Sequence, residues 1–195
     1  NVTMTANSAG NSGGAISVSP KQALISPPVR AVALNNVTIT GNIADDNQDN
    51  IGEGGGVSVR IDNQVINQLA LRNTIISDNT DRSPISANAN HDCFGILTSQ
   101  GYNLIHRFIP ANCTILGTLT GNLTGSSARP ATLINNGGTV PTVALLSGSP
   151  AIDAGDPDAI SSCAPTDQRG VARPIDGDGN GVTACDMGAV EMPPL

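Results

Sequence analysis

The chain is poor in aromatic and basic residues. Its 195 residues include no Trp, one Tyr and two Phe, and nine Lys and Arg stand against sixteen Asp and Glu. The net charge of −7 argues against nucleic acid as a partner, because neutralising phosphates requires clustered Lys and Arg. So few rings also argue against a conventional compact core and against an extended sugar cleft with aromatic platforms. A thin core of stacked aliphatic side chains needs no rings.

Long apolar runs are missing as well. No segment approaches the roughly 18 consecutive apolar residues of a membrane-spanning helix, so we expect no span in this chain. We find no signal peptide, and the first residues, Asn1-Val-Thr-Met, read as the middle of a strand. We therefore expect a processed chain or a fragment of a longer protein.

The four cysteines form two local pairs and no CxxC motif. Members of each pair lie about twenty residues apart, whereas zinc-binding thiolates usually come in close pairs. We expect two disulfides and an oxidising compartment, with four reduced buried thiols as the alternative. The residues are Cys93, Cys113, Cys163 and Cys185.

Three segments of the chain resemble one another. They are NVTMTANSA from Asn1, NNVTITGNIADDN from Asn35 and RNTIISDNTD from Arg72, and the first two are followed by the glycine-rich runs GGAISV and GGGVSV. The spacing of roughly 35 to 40 residues indicates a stacked repeat array. No stretch has helical periodicity, so the repeats predict short strands that stack as a parallel β-helix. Alternation predicts an inward face made of Val2, Met4, Val37, Ile39, Thr74 and Ile76.

Asparagine recurs just after the repeated strand. Asn7, Asn42 and Asn79 occupy equivalent positions, where a sharp corner favours a residue that tolerates left-handed backbone. We predict that they stack as a structural ladder of side-chain amides, in preference to a row that binds a ligand. The runs SPKQALISPPVR and RIDNQVINQ read as insertions that protrude as loops, where solenoids often carry binding functions.

The second half of the chain resembles the choice-of-anchor Q domain family of bacterial surface proteins. The resemblance covers almost the whole chain, and its specific motifs lie from residue 92 onward. They are Asp92-Cys93, GYNLI (101–105), NGG (136–138), GSPAIDAG (148–155), DQRG (167–170), Arg173-Pro174 and CDMGAVE (185–191). One departure is Thr139-Val140-Pro141, where Gly-Gly-Pro-Thr is usual.

This resemblance implies a secreted or surface-exposed protein with a right-handed parallel β-helix, akin in fold to pectin lyases. It implies no defined activity, because a fold does not fix a function. We expect an all-β chain in which residues 1–125 form the coils. Residues 126–195 form the closing coil and a disulfide-braced C-terminal cap of the same domain. In the cap, Asp167, Arg169 and Arg173 are expected to form a salt-bridged knot that covers the edges of the last coil.

The run PIDGDGNGVTACD is a candidate calcium loop. Asp176, Asp178, Asn180 and the Val182 carbonyl match the first oxygen positions of an EF-hand loop, with glycine at the sixth position. The twelfth position holds a methionine, and Asp186 stands one place earlier, where a bent strand would re-aim it. We expect calcium here, if bound, to be structural. A plain glycine-rich turn is the alternative.

Residues suited to catalysis are sparse. The adjacent pair Asp45-Asp46 falls in a turn, where solvated charges are common, and His91 and His106 accompany no nucleophile-elbow pattern. We therefore predict a non-enzymatic structural or adhesive protein, extracellular or on the cell surface, with possible stacking head-to-tail into filaments. Other surface proteins and surface polysaccharide are further candidate partners. The competing interpretation is a module that binds or degrades polysaccharide on a pectin-lyase-like fold.

Overall fold

A computed structural model describes residues 1–19, 30–60, 67–83, 91–107, 109–158 and 162–194. Every regular element among them is a β-strand, and none of these residues belongs to a helix capable of crossing a membrane. The strands are β1 (Val2–Thr5), β2 (Ile16–Val18), β3 (Arg30–Asn35), β4 (Val37–Thr40), β5 (Ile43–Ala44), β6 (Val57–Val59), β7 (Asn67–Arg72), β8 (Ile75–Ser77), β9 (Thr80–Asp81), β10 (Cys93–Gln100), β11 (Leu104–Ile105), β12 (Cys113–Thr118), β13 (Leu123–Thr124), β14 (Pro130–Ile134) and β15 (Thr142–Leu145).

Two parallel sheets dominate the structure. Sheet 1 has the order β1-β4-β8-β11-β13, and sheet 2 has the order β2-β6-β10-β7-β3 with β12 also paired to β10. A short parallel pair joins β5 to β9, and β14 and β15 form an antiparallel hairpin. The expectation of an all-β chain with parallel sheets is confirmed.

Successive passes of the chain visit the sheets in the same order. The corner residue Asn7 is hydrogen-bonded to Asn42, 35 residues on, and Asn42 to Asn79, 37 residues on. Along sheet 1 the next steps shorten to 29 residues, from Thr74 to Asn103, and then to 19, from Asn103 to Asn122. The first two steps agree with the repeat in the sequence.

The later passes are shorter because β10 runs unbroken where earlier passes use two strands. Cys93–Gly95 pair with β6, and Thr98 and Ser99 pair with β7, so β6 and β7 lie end to end along one edge of β10. The same holds for β2 and β3, which pair with β6 and β7. Each predicted insertion therefore lies between two strands, β2 and β3 or β6 and β7, that correspond to the two halves of β10. The central residues of the insertions, 20–29 and 61–66, lie outside the described residues.

The first hydrophobic core lies between sheets 1 and 2. Ile39 and Ile76 from sheet 1 meet Val57, Leu71 and Leu97 from sheet 2, and each is at most 1% exposed. The alternation predicted from the repeats places Val37, Ile39 and Ile76 in this core, as observed, and Met4 packs against it. Val2 differs from the expectation and is 45% exposed, because β1 is the edge strand of sheet 1.

A second core lies on the outer face of sheet 1. Ile75 and Leu104 point away from the first core and pack with Leu145, Ala151 and Met187. Because both faces of the sheet are covered, β4 and β8 are buried along their whole length, as is typical of parallel sheets. Residues 149–194, here called the C-terminal segment, supply much of this second layer.

The C-terminal segment crosses the passes and does not simply cap the last one. Thr3 of β1 donates a hydrogen bond to Gln168, and the backbone N–H of Ala189 donates to the Thr38 hydroxyl of β4. Gly188 N–H donates to the Asn73 carbonyl just before β8. The C-terminal segment was expected to cover only the end of the repeats. It lies instead along the outer face of sheet 1.

Two asparagines with left-handed backbone hold this segment on the sheet. Asn36 and Asn73 have φ of 53° and 48°. Their amide oxygens accept the backbone N–H groups of Ala164 and Asp156 at 3.1 and 2.8 Å, and Asn73 also donates to the Ser162 carbonyl. The C-terminal segment has few strand partners for its backbone N–H and C=O groups. The Asn36 and Asn73 side chains bond to some of these groups instead.

Both expected disulfides are present. Cys93–Cys113 joins the neighbouring strands β10 and β12, and Cys163–Cys185 closes a loop within the C-terminal segment. The described chain has no free cysteine. Two disulfides in a chain of this size indicate an oxidising environment.

Candidate metal centre and buried ion-pair cluster

The DGDGNG loop is organised around the carboxylate of Asp176. Its Oδ1 accepts the backbone N–H groups of Gly179 and Asn180 at 2.8 and 3.1 Å, and its Oδ2 accepts that of Gly181 at 2.9 Å. Glycine at 179 and 181 allows the positive φ values of 75° and 87° in this turn. The loop thus presents its acidic side chains from a tight, exposed turn.

Three carboxylates meet at the base of this loop. Ligand atoms of Asp153, Asp176 and Asp178 lie within 4.8 Å of one another. Oδ2 of Asp153 accepts the N–H groups of Gly177 and Asp178 at 3.0 and 2.9 Å, whereas its Oδ1 is buried with no hydrogen-bond partner. A buried, unpaired carboxylate oxygen is costly, and a hard cation with oxygen ligands relieves that cost. Asp153, Asp176 and Asp178 are therefore the residues that could supply carboxylate ligands to a hard cation such as Ca²⁺.

The predicted ligands divide between this group and its surroundings. Asp176 and Asp178 belong to the group, and Asn180 directs its Oδ1 to the backbone N–H of Val182 at 2.8 Å. Val182, whose carbonyl was the fourth predicted ligand, is 66% exposed. Asp186 lies apart and fully buried, and its two oxygens accept the N–H groups of Asp153 and Met192. The Asp186 carboxyl group therefore holds the backbone of Asp153 in place and is not itself part of the carboxylate group.

Sequence reasoning did not assign Asp153 to the metal site, because it lies 24 residues before Gly177. The motif GSPAIDAG offered one signal, since an Asp beside small residues and glycine marks a turn that uses its carboxylate. Local spacing within a loop cannot show that a distant turn supplies a third carboxylate. Only the packing of the C-terminal segment brings the two turns together.

A buried ion-pair cluster lies next to this site. It consists of Asp167, Arg169, Arg173, Asp186 and Glu191. Arg173 and Glu191 form a salt bridge with side chains 1% and 0% exposed, and Arg169 pairs with Asp167 at 2.7 Å. Arg173 also donates to the backbone carbonyls of Asp186 and Gly188 at 3.1 and 2.8 Å. The arginines thereby fix the backbone of the C-terminal segment.

Burial sets the protonation of this cluster. Burial, then the nearby charge of Glu191, raises the pKa of Asp186 to about 8. Burial also raises the pKa of Glu191, against the opposing charge of Arg173. Burial acts in the same direction on Asp167, but the hydrogen bonds from Arg169 and three backbone N–H groups leave its pKa below the usual value. One carboxyl of the cluster is therefore neutral near pH 7.

The predicted asparagine residues form a continuous chain of hydrogen bonds. Asn7 donates to Asn42 at 2.8 Å, Asn42 to Asn79 at 2.9 Å, and Asn79 to Asp92 at 2.8 Å. Asp92 is fully buried, and burial raises its pKa. As a carboxylate it only accepts, and its other oxygen takes the N–H of Arg107 at 2.7 Å. Sequence reasoning missed this terminal acceptor because Asp92 lies outside the repeated motif.

The two histidines and the paired aspartates serve separate hydrogen-bond networks. His106 Nδ1 lies 3.0 Å from Asp78, whose other oxygen accepts the hydroxyls of Ser77 and Ser127. His91 Nδ1 accepts the N–H of Asp81. Both serines donate to the aspartate and not to the imidazole, which differs from a nucleophile aligned with its base.

Asp45 and Asp46 also have different roles. Asp45 is fully buried and accepts the backbone N–H of Asp49 at 3.0 Å, while Asp46 forms an exposed salt bridge with Arg82. The pair does not face a common cleft in the way that two carboxylates flanking a glycosidic bond would.

No family model, curated protein or solved structure matches this chain. The functional interpretation therefore rests on the residues and geometry described above.

Proposed function

We propose that this chain is a non-enzymatic structural or adhesive protein, secreted or held on a cell surface. We further propose that it is a right-handed parallel β-helix of the choice-of-anchor Q type. The regular order of passes, the parallel registers and the Asn ladder support the β-helix. The two disulfides support an extracellular location.

The observation that carries the proposal is the use of the buried charged groups. Arg173 pairs with Glu191, and both bond to the backbone of Asp186. Asp167 accepts the backbone N–H groups of Arg169, Val171 and Glu191. Every one of these contacts holds the C-terminal segment together, and the segment in turn covers sheet 1. This arrangement supports a structural role for the buried charged groups.

Calcium at Asp153, Asp176 and Asp178 belongs to the same role. A cation there ties the DGDGNG loop to the turn at Asp153, which Asp186 anchors to the buried cluster. Isothermal titration calorimetry with Ca²⁺ tests this. The single variants Asp176→Asn and Asp178→Asn are expected to weaken binding at least tenfold, whereas Asp158→Asn, an exposed carboxylate outside the group, retains it. Equal affinities in all three variants argue against the site.

Assembly into filaments is the second part of the proposal. Among the described residues, β12 and β13 end sheets 2 and 1 with no further strand beyond them, and β1, β2 and β3 lie at the opposite edges. Unpaired edges of parallel strands accept another strand of the same direction. Light scattering and electron microscopy at rising concentration are expected to show growth along one axis. A monomer at high concentration contradicts this part.

Turnover assays test the non-enzymatic assignment. The purified chain is incubated with neutral and acidic polysaccharides, and the release of reducing ends and of unsaturated products is followed. We expect no sustained release above buffer. Sustained release that disappears in Asp78→Asn, the carboxylate paired with His106, would overturn the assignment.

A further inference from the structure

The outer face of sheet 2 carries an open depression of about 400 Å³. Its volume lies in the range of about 300–1,000 Å³ that small-molecule sites occupy. The depression lies where β6, β10 and β12 run side by side, away from the C-terminal segment on sheet 1. Its lining includes Glu53, Arg60, Phe94, Ile96, Asn112 and Thr114.

Strand alternation places the apolar part of this lining on the outer face of sheet 2. On β10, Cys93 and Leu97 point into the first core and are at most 2% exposed. The residues between them, Phe94 and Ile96, therefore face outward and remain partly exposed. Thr114 of β12 pairs with Ile96 and points to the same side. The depression thus has an apolar floor of one aromatic ring and one branched side chain.

The rim of the depression holds a donor and an acceptor side by side. The Arg60 guanidinium lies 3.1 Å from a carboxylate oxygen of Glu53 and 6.0 Å from the centre of the Phe94 ring. Asn112 and Thr114 add amide and hydroxyl groups on the β12 side. A hydroxyl both donates and accepts, so two neighbouring hydroxyls of a ligand match a guanidinium beside a carboxylate. Because the two charges offset each other, the rim favours an uncharged ligand.

We propose that this depression binds one neutral pyranose ring of a glycan. The C–H face of the sugar packs against Phe94 and Ile96 beside the Arg60 guanidinium, which lies over the Phe94 ring, and the sugar hydroxyls bond to Arg60, Glu53, Asn112 and Thr114. A single aromatic ring limits the site to one sugar unit. This binding site goes beyond the structural role of the chain, which stands whether or not the sugar binds.

Titration with small glycosides, followed by ¹H–¹⁵N correlation NMR, tests the proposal. The probes are the methyl glycosides of glucose, galactose and mannose, with galacturonate as the charged comparison. We expect saturable binding of at least one neutral glycoside, with dissociation constants on the order of millimolar, and shifts of the Gly95, Ile96 and Thr114 amides. No saturable binding, shifts confined to other residues, or tighter binding of galacturonate would overturn the proposal.

Variants separate the site from the fold. Phe94→Ala is expected to weaken binding about tenfold through the loss of ring contact, and Phe94→Tyr, which keeps the ring, to retain it. Arg60→Met and Thr114→Val remove single polar groups from the rim and provide the test if Phe94→Ala does not fold. Leu133→Ala, an exposed position on β14, is the control. Binding unaffected by Phe94→Ala, or by both rim variants, contradicts the site.

Discussion

At the scale of single residues, buried asparagine side chains bond successive passes of the chain to one another. Asn42 and Asn79 are fully buried, and each accepts both the backbone and side-chain N–H groups of the residue before it in the ladder. Their own amide nitrogens donate to strand carbonyls such as those of Met4 and Ile39. An amide provides two donors and an acceptor at once, which no other side chain of this size does in neutral form.

Replacing Asn79 by Asp tests this requirement with almost no change in shape. The new carboxylate loses its donors and faces Asp92 at hydrogen-bonding distance, so two acceptors of like charge meet in a buried site. We expect Asn79→Asp to lower the free energy of unfolding at pH 7 by about 3–5 kcal/mol, measured by urea denaturation.

The exposed Asn47→Asp is the matched control, with an expected change within about 0.5 kcal/mol. Part of the lost stability of Asn79→Asp should return near pH 4, where the new carboxyl group is protonated. Equal unfolding free energies of Asn79→Asp and Asn47→Asp at pH 7 would show that the ladder contributes little.

The buried carboxyl of Asp186 makes a prediction about pH. Its pKa is raised from 3.8 to about 8, first by burial and then by Glu191, so the folded chain holds a proton that the unfolded chain has released. The contribution of this group to stability is therefore full below about pH 4 and is lost as the pH rises through 8. With calcium chelated, the free energy of unfolding of Asp186→Asn should fall less steeply from pH 5 to 9 than that of the wild-type chain. Identical slopes for the two chains contradict this assignment.

At the scale of single residues, the sequence predicted what repeats and local spacing can reveal. The cysteine pairs follow from their separation, and the ladder positions follow from the recurring Asn after each strand. The place of Asp153 in the metal site and of Asp92 at the end of the ladder escaped prediction, because their partners come from turns that are distant in sequence or outside the repeat. A position that acts only through tertiary packing leaves no periodic signal.

At the scale of elements, the close approach of the C-terminal segment to sheet 1 depends on a glycine. Gly188 has φ of 92°, and a Cβ atom at this position would lie 2.6 Å from the Thr38 hydroxyl and 2.8 Å from Ile75. The N–H of the next residue, Ala189, donates to the same hydroxyl. A side chain here would therefore push the segment off β4 and β8.

Gly188→Ala is expected to lower the free energy of unfolding by about 2–4 kcal/mol, through combined overpacking and backbone strain. Gly170→Ala is the matched control, because Gly170 has a similar φ of 88° but a Cβ atom added there would have nothing within 4 Å. Its expected cost is the strain alone, about 1 kcal/mol. Equal losses in the two variants would mean that the segment does not pack closely on the sheet.

The elements differ in how well the sequence predicts them. Strands β1, β4 and β8 follow from the aligned repeats, and the interrupted strands follow from the proline-rich and polar insertions. The covering of sheet 1 does not follow, since the alternation was assigned to one buried face. The adjacent Ile75 and Ile76, which are buried on opposite faces, carried the missed signal: consecutive β-branched residues indicate a strand covered on both sides.

At the scale of the whole molecule, three layers account for the composition. Sheet 2, sheet 1 and the C-terminal segment enclose two thin aliphatic cores, so large rings are not needed. The segment has few regular elements and depends instead on buried ion pairs, asparagine contacts and the Cys163–Cys185 disulfide. Its position was not predictable from local motifs, because no motif specifies which face of which sheet it covers.

Opening the second disulfide tests how far this layer depends on a covalent link. The Cys163→Ser/Cys185→Ser double variant frees a loop with a sequence separation of 22 residues. The expected loss in unfolding free energy is about 3 kcal/mol, from the chain entropy that the link removes from the unfolded state. Proteolysis of the variant should begin within residues 149–194. First cleavage outside residues 149–194 would contradict the view that this disulfide stabilises the C-terminal segment in particular.

The central claim is that the acidic and buried groups of the C-terminal segment hold that segment together over sheet 1, and that calcium at Asp153, Asp176 and Asp178 adds a further link. Thermal unfolding with and without Ca²⁺ tests it most directly. Calcium at about a hundred times its dissociation constant should raise the melting temperature by about 5–10 °C. Chelator should reverse the rise, and Asp176→Asn should abolish it. A melting temperature that is the same in saturating calcium and in chelator would contradict the claim.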